Sequence, residues 1–345
     1  MRLDLVLVGF GNVARRFVRL AREKAVPLER DHGVTIRVCG IVTARHGSTF
    51  DEAGTDAVAA ADAVEGGRSL GESVPAVDVI RRASRLDRTG VLVETTPLNV
   101  QTGQPAIEHV RAALLAGLHV VTANKGPVAI AWAELDRLAR ERGVSFLFEG
   151  AVMDGVPVFN LVRETMPGVR ITGFRGVVNS TTNHILTILE EGGEFDAALD
   201  DMQRAGITEA DPSLDVDGWD AAAKAAALAN VLMRADLTPE KVDRTGIRGI
   251  TGADVRAAAA RGSRIRLVAS AGNGHARVRP EELPASDPLA QLRGMQNAVV
   301  FQTDVLGEIA MTQLGGGLTQ TAYALVSDLV TVARRIRSDD GAPAR

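Results

Sequence analysis

Along the first 150 residues, short apolar runs alternate with segments whose apolar positions recur every three or four residues. The runs Leu3–Val8, Thr35–Val42, Val91–Glu94, His119–Thr122 and Ser145–Phe148 predict strands, and Val13–Lys24, Pro105–Ala116 and Trp132–Arg142 predict amphipathic helices between them. Near-continuous Val/Leu/Ile strands alternating with helices predict a doubly wound parallel sheet, an α/β architecture of Rossmann type. The stretch Thr43–Ser73, rich in Gly, Ala and Asp, predicts a loop and one weak helix.

After Gly150 the pattern changes. A helix from Pro157 to Met166 leads to a strand at Ile171–Val178, then helices at Asn183–Glu191 and Phe195–Ala205 and a polar loop at Thr208–Asp217. A long Ala-rich helix opens at Gly218–Trp219, and short strand runs follow at Ile265–Ser270, Ala298–Gln302 and Glu308–Met311. This predicts a second, α+β domain with a mixed sheet. The tail returns to helix at Gln320–Arg337. At about 100–200 residues per domain, 345 residues suffice for two. The expected division is residues 1–150, joined by the returning segment 312–338, and residues 151–311.

Composition narrows the function classes. Apolar residues at 46% and charged residues at 24% are ordinary for a globular chain. No apolar run reaches the roughly 18–20 residues of a membrane span, and Asp4 interrupts the opening run, which predicts a buried strand and not an export signal. A single cysteine, Cys39, forms no internal disulfide or zinc cluster, so a cytoplasmic address is expected. A net charge of −4 and 3% aromatic residues argue against nucleic-acid binding. Of 39 basic residues only four are lysine: Lys24, Lys125, Lys224 and Lys241. In so Arg-biased a chain, a surviving lysine marks either chance or a position that needs a compact ammonium with an adjustable pKa.

Gly9-Phe10-Gly11-Asn12-Val13-Ala14 matches G-x-G-x-x-G/A between a predicted strand and a predicted helix. That context points to dinucleotide binding: a tight turn at Gly9, close pyrophosphate approach at Gly11, close helix packing at Ala14, and a helix N-terminus facing the negative charge. An NAD site would carry an acid at the end of the second strand, whereas this chain reads Thr43-Ala44-Arg45-His46-Gly47. Arg45 is either a partner for the 2′-phosphate of NADP or a solvated loop arginine.

Three further segments carry candidate chemistry. Lys125, in Thr122-Ala123-Asn124-Lys125-Gly126-Pro127, follows a parallel strand, where ligands bind; it points either to the nicotinamide crevice or to solvent. Asn179-Ser180-Thr181-Thr182-Asn183 closes a strand and opens a helix, and its polar groups serve either a small polar substrate or the helix cap. In the segment from Thr208 to Lys224, Asp220 and Lys224 lie four apart on one helix face. They make either a simple ion pair or, given the density of acids, a proton carrier held beside carboxylates.

These residues resemble the homoserine dehydrogenase family over nearly the whole length. The match rests on the Gly9–Ala14 turn, Thr122-Ala123-Asn124-Lys125, Thr181-Thr182-Asn183 and above all Asp211-Pro212-x-x-Asp215-Val216-x-Gly218-x-Asp220-x-x-x-Lys224. The resemblance implies hydride transfer between a nicotinamide cofactor, NADP or NAD, and the pair L-homoserine and L-aspartate 4-semialdehyde. Lys224 would be the acid–base residue and Asp220 its partner, with Lys125 between substrate and nicotinamide. Glu209 and Asp215 would hold the substrate ammonium, with Thr181 and Asn183 also on the substrate. Gly9, Gly11, Asn12, Val13, Arg45, Thr95, Thr96, Lys125 and Gly316 would line the cofactor. A monovalent cation, Na⁺, would sit on the Glu149 side chain and the carbonyls of Val152, Asp154 and Val156. Residues 1–150 would then bind the dinucleotide and 151–311 the substrate, the latter also forming a homodimer. So short a tail past residue 338 is not expected to build the ACT regulatory domain of longer members, nor is a kinase domain expected before residue 1.

The chain also departs from the family pattern. Family members usually read Glu-Ala-x-Val-x-Gly-Gly-Ile-Pro where this chain reads Glu149-Gly150-Ala151-Val152-Met153-Asp154-Gly155-Val156-Pro157, which adds a carboxylate at Asp154. The usual Asn-Gly-Thr-x-Asn-Tyr becomes Asn179-Ser180-Thr181-Thr182-Asn183-His184, and the segment Gly315–Gly317 lacks its usual proline. Rival readings are a dehydrogenase of a related hydroxy amino acid and a non-catalytic NAD(P)H-binding sensor. Semialdehyde oxidation through a thioester needs a nucleophilic cysteine, and Cys39 falls inside a predicted buried strand.

Overall fold

The structure, a computed structural model, describes residues 1–204 and 212–339. The chain forms two compact units, Met1–Pro157 with the chain from Gly317 onward, and Val158–Gly316.

The first unit runs β1 (Arg2–Val8), α1 (Asn12–Glu23), α2 (Ala25–His32), β2 (Thr35–Val42), β3 (Ser48–Phe50), α3 (Ala57–Glu65), α4 (Ala76–Ala83), β4 (Gly90–Glu94), α5 (Ala106–Leu115), β5 (His119–Thr122), α6 (Lys125–Arg142) and β6 (Phe146–Leu147). Its sheet has the order β3-β2-β1-β4-β5-β6. All neighbours are parallel except the short edge strand β3, which pairs antiparallel with the end of β2. β1 is central and six of its seven residues are buried, as expected of a strand covered on both faces. Leu3, Leu5 and Leu7 pack with Ala14 and Phe17 of α1 in the main core. Asp4 is the polar exception, held by Arg37 through bonds of 2.8 and 2.7 Å.

The second unit runs α7 (Val158–Thr165), β7 (Ile171–Val177), α8 (Ser180–Glu190), α9 (Phe195–Arg204), α10 (Ser213–Val216), α11 (Trp219–Met233), β8 (Asp243–Arg244), α12 (Gly252–Ala260), β9 (Ser263–Gly272), β10 (His275–Pro284), β11 (Asn297–Thr303) and β12 (Glu308–Gln313). Its mixed sheet has the order β12-β11-β7-β9-β10-β8, with only β8 and β10 parallel. In α11 the alanines let the helix lie close against the sheet, and Ala221 through Asn230 are buried apart from Lys224. The final helix, α13 (Leu318–Asp339), belongs to the first unit, where Ala322, Leu325 and Leu329 join the core around β1. No helix among the described residues is long and apolar enough to cross a membrane.

Several elements differ from the sequence-based expectation. The helix expected at Trp132 begins at Lys125, with a kink at Ala131. Pro127 falls in its first turn, where a missing N–H leaves nothing unpaired, so Gly126-Pro127 is a helix start and not a loop. The stretch 43–73 contains β3 as well as α3, because Ser48 is fastened to the Glu72 carbonyl 24 residues away. Segment 312–316 lies in the second unit, since β12 continues to Gln313 through its pairing with Asn297. β10 goes unrecognised because Arg277, Arg279, Glu281 and Pro280 mask its buried positions Ala276, Val278 and Leu283. Ten residues of pairing with β9 hold it as a strand.

Candidate functional site

In the first unit the β1–α1 turn has the geometry a dinucleotide requires. Gly9 has φ +85°, and a Cβ there would lie 2.6 Å from the Thr95 carbonyl carbon and the Thr96 nitrogen, so only glycine fits. Its N–H donates to the Val42 carbonyl, and Thr95 Oγ1 donates to the Gly9 carbonyl at 2.7 Å. Gly11 is the N-cap of α1 with open space where a Cβ would be, and the first turn of α1 holds no acid and no side-chain cap. Its amides are therefore available to an anion. Ala14 is fully buried, Val13 is half-buried, and Asn12 accepts from Arg15 Nη2 at 2.7 Å. Arg45 is exposed on the bend after β2 and forms no ion pair among the described residues.

At the carboxyl ends of β4 and β5 a buried acid ties two loops together. Glu94 Oε1 accepts from Thr96 N at 2.8 Å and from Thr96 Oγ1, and Oε2 accepts from Thr122 Oγ1 at 2.8 Å. Burial pushes the Glu94 carboxyl up to about 7, against the pull of hydrogen bonds from Thr96, Thr122 and Asn124. Asn124 caps α6 by accepting from Gly126 N at 2.9 Å and donates through Nδ2 to the Thr96 carbonyl at 2.9 Å. Lys125 is the first residue of that helix.

The segment proposed for a cation also lies in the first unit. Glu149 is 2% exposed, and its backbone N–H donates to Asp328 Oδ2 at 2.8 Å. Met153 and Asp154 have φ +54° and +52°. That conformation suits glycine best, and aspartate is among the few other residues that tolerate the left-handed region. The Asp154 carboxylate accepts from Thr321 Oγ1 on α13 at 3.0 Å. Among the described residues there is no group of three or more His, Cys, Asp or Glu that could hold a metal ion.

The second unit brings together residues from three segments. Asn179 caps α8 by accepting from Thr182 N at 2.8 Å, while its Nδ2 donates to Asp215 Oδ1 at 2.7 Å and to Asp220 Oδ2 at 2.9 Å. Lys224 Nζ lies 3.0 Å from Asp220 Oδ2 and donates to the Val178 carbonyl at 2.6 Å. The Lys224 and Asp220 side chains are only 14% and 15% exposed. Desolvation, and then the neighbouring Asp220 charge, raise the Asp215 pKa, while Asn179, Thr181 and Lys224 oppose the rise. Of the alternatives left open by sequence, the helix cap is present, and Asn179 in addition links two acids. Thr181 joins the chain through Asp215. Asn183 is not part of that chain: it is fully buried, and its Nδ2 donates to the Gly294 and Gln296 carbonyls, while its Oδ1 has no hydrogen-bond partner among the described residues. Glu209 and Asp211 lie outside the described residues, and Gly316 is exposed between β12 and α13.

A clasp that the sequence reading misses fixes the start of α11. Gly218 enters it at φ +81°, and the Arg244 guanidinium stacks 3.7 Å above the Trp219 ring while donating to the Asp217 carbonyl. Ile247 N donates to the Val216 carbonyl at 2.8 Å, and a Cβ on Gly246 would fall onto that carbonyl. Nothing in the local pattern marks Arg244 among 35 arginines, and Glu94 reads simply as the end of a buried strand.

Residues 9–149 match the family model "Homoserine dehydrogenase, NAD binding domain" and residues 157–330 match "Homoserine dehydrogenase". The chain is 37% identical to the NAD(+)-dependent homoserine dehydrogenase of Pseudomonas canavaninivorans, with 95% of each chain covered. It is 35% identical to the homoserine dehydrogenase of Methanocaldococcus jannaschii, over 96% of this chain and 98% of that one. Among solved structures, a hyperthermophilic archaeal homoserine dehydrogenase in complex with NADPH superposes with a TM-score of 0.81 at 31% identity, covering all of both chains.

Proposed function

The chain belongs to the homoserine dehydrogenase family, NAD(P)-dependent oxidoreductases that interconvert L-homoserine and L-aspartate 4-semialdehyde, and we propose that Lys224 is the acid–base residue of that reaction. The observation that carries this reading is the nearly buried chain Lys224–Asp220–Asn179–Asp215, in which one amide donates to both carboxylates. A nicotinamide held at the Gly9–Ala14 turn would supply the hydride acceptor for the oxidation and the hydride donor for the reduction. Lys224 takes the hydroxyl proton in the oxidation and gives it back in the reduction. Asp220 and the Val178 carbonyl fix the position of Nζ. Two carboxylates beside one ammonium leave the cluster net negative, which suits the ammonium of an amino-acid substrate. Asp215 is its holder, with Glu209 assigned the same task and Thr181 orienting Asp215.

For the cofactor, the Gly9–Ala14 turn supports binding of the pyrophosphate at the N-terminus of α1, with Thr95 and Thr96 alongside and Lys125 toward the nicotinamide. The unpaired, exposed Arg45 supports NADP over NAD. The Glu149 carboxylate and the carbonyls of Val152, Asp154 and Val156 would offer all-oxygen donors, of the kind hard cations prefer, to Na⁺. The reading includes a cytoplasmic homodimer. In its support, Val305, Leu306 and Leu314 leave an exposed apolar edge around β12.

The test is turnover of purified protein with L-homoserine and each cofactor, followed by nicotinamide absorbance, for wild type, Lys224→Ala and Lys224→Arg. Both variants are expected to bind cofactor and to lose about 10²–10⁴-fold in kcat, because guanidinium stays protonated and moves no proton near neutrality. Near-normal turnover by Lys224→Arg would overturn the assignment.

A further inference from the structure

Glu94 is fully buried at the end of β4, where its backbone pairs with Val8 of β1 and Thr122 of β5. The groups that meet its carboxyl are all uncharged: Thr96 N and Oγ1, Thr122 Oγ1, and the Asn124 amide. Charged residues on the adjoining elements are Asp4 with Arg37 at the opposite ends of their strands, His119 at the start of β5, Lys125 opening α6, and Glu149 with Asp328 beside β5. A purely structural plug would cost less as glutamine or leucine, since an unpaired buried carboxylate is expensive. What the acid does here is organise. Thr96 follows Thr95, which grips Gly9, and Thr122 Oγ1 accepts from Asn124 N at 2.9 Å, next to Lys125.

We propose that Glu94 is a positioning residue of the reaction, which through Thr96, Thr122 and Asn124 fixes both the loop that closes on the Gly9 turn and the helix end that presents Lys125. This deepens the functional reading above and rests on its placement of the cofactor.

The hydrogen-bond inventory allows two states. With Glu94 ionised, both Thr96 groups and the Thr122 hydroxyl donate to it. The Thr122 hydroxyl has a second acceptor, the Glu94 carbonyl at 3.0 Å. With Glu94 neutral, that hydroxyl turns to the carbonyl and Oε2–H donates to Thr122 Oγ1. Every group stays paired, but the bonds from Thr96 lose their charge assistance and the 95–97 loop is held less firmly. A carboxyl raised to about 7 moves between these states near neutral pH.

The test is a titration of the full-length protein with NADPH, read by nicotinamide fluorescence from about pH 5.5 to 8.5, for wild type, Glu94→Gln and Glu94→Leu. Charge-assisted bonds being roughly twice as strong as neutral ones, wild-type affinity should rise about three- to tenfold as pH passes 7. Glu94→Gln, which keeps the neutral arrangement, should stay at the wild-type acid-limit value throughout. The Tm without cofactor gives an independent readout. Because folding raises the Glu94 pKa, its contribution to stability is full below about 4.5 and is lost as pH rises through about 7. Glu94→Gln should therefore gain Tm over wild type at pH 8 and gain nothing near pH 4.5. The same pH step in both proteins, or unchanged affinity in a folded Glu94→Leu, would overturn the proposal. Should Glu94→Leu not fold, the Gln comparison alone decides. Absence of NADPH binding by the wild type would instead fail the functional reading, with the Tm difference still reporting on Glu94.

Discussion

Asn179 and Asp220 stand 41 residues apart in the chain and meet at 2.9 Å, and the same Asn179 amide reaches Asp215 at 2.7 Å. One uncharged side chain therefore spaces two acids beside a lysine. Serine caps a helix about as well as asparagine but has one proton to donate, so Asn179→Ser should keep α8 and leave one carboxylate without its donor. A lost hydrogen bond to a charged group costs about 1.5–3 kcal/mol of stability, so Tm should fall, and kcat/KM should fall by about tenfold or more as the freed carboxylate shifts beside Lys224. Unchanged kinetics would remove Asn179 from the site.

Asp215 carries a cost in stability that the proposed ammonium-holding role would explain. Its pKa is raised by burial and by Asp220, so its contribution to stability is full below the ordinary carboxylate value and is lost as pH rises through the folded-state pKa. Asp215→Asn removes that pH-dependent loss and should raise Tm at pH 7 and not at pH 3.5. KM for L-homoserine should rise by about tenfold or more as the ammonium loses its counter-charge. Tm scans at the two pH values, set beside KM at pH 7, check both halves. A lower Tm at pH 7 with unchanged KM would contradict both.

The proposed role of Arg45 in cofactor preference is tested by its removal. For Arg45→Ala, kcat/KM should fall about tenfold or more with NADP and change little with NAD, as expected for loss of a charged hydrogen bond to the 2′-phosphate. A ratio equal to that of the wild type would assign the preference to other residues.

Asp154 occupies a left-handed position that glycine adopts without strain, and its carboxylate is held by Thr321. Asp154→Gly should leave the backbone in place while removing a negative charge near the Glu149 carbonyl-rich turn. Activity measured against Na⁺ and K⁺ concentration should shift its midpoint in the variant. Superimposable curves would make the departure neutral for cation response.

Glycine at 246 is a packing requirement of the clasp, since any Cβ would fall onto the Val216 carbonyl. Gly246→Ala should displace the start of α11, lowering kcat along with Tm. Wild-type turnover from a folded Gly246→Ala would show that the Asp220–Lys224 pair keeps its place without the clasp.

Where the determining interactions are local, the chain alone was informative. Strand β1, the Gly9–Ala14 turn and α1 follow from a continuous apolar run, two glycines and a 3.6-residue period, all within two dozen positions. Asp220 and Lys224 share a face because any helix places residues four apart together, and the ion pair at 3.0 Å follows from that spacing. The second strand's lack of an acid, and so the candidacy of Arg45, was equally a matter of reading one turn. Other features depended on which distant segments the strand order made neighbours. The partners of the Asn183 amide nitrogen, the carbonyls of Gly294 and Gln296, lie more than a hundred residues away in the chain. Glu94 ended an unremarkable strand until β5 brought Thr122 to its carboxyl, and Arg244 was one arginine of many until β8 set it over Trp219. Helix period and turn geometry are properties of a few consecutive residues and are written into them. The partner of a buried polar group is chosen by which other groups share its dry surroundings, and only the closed fold decides that.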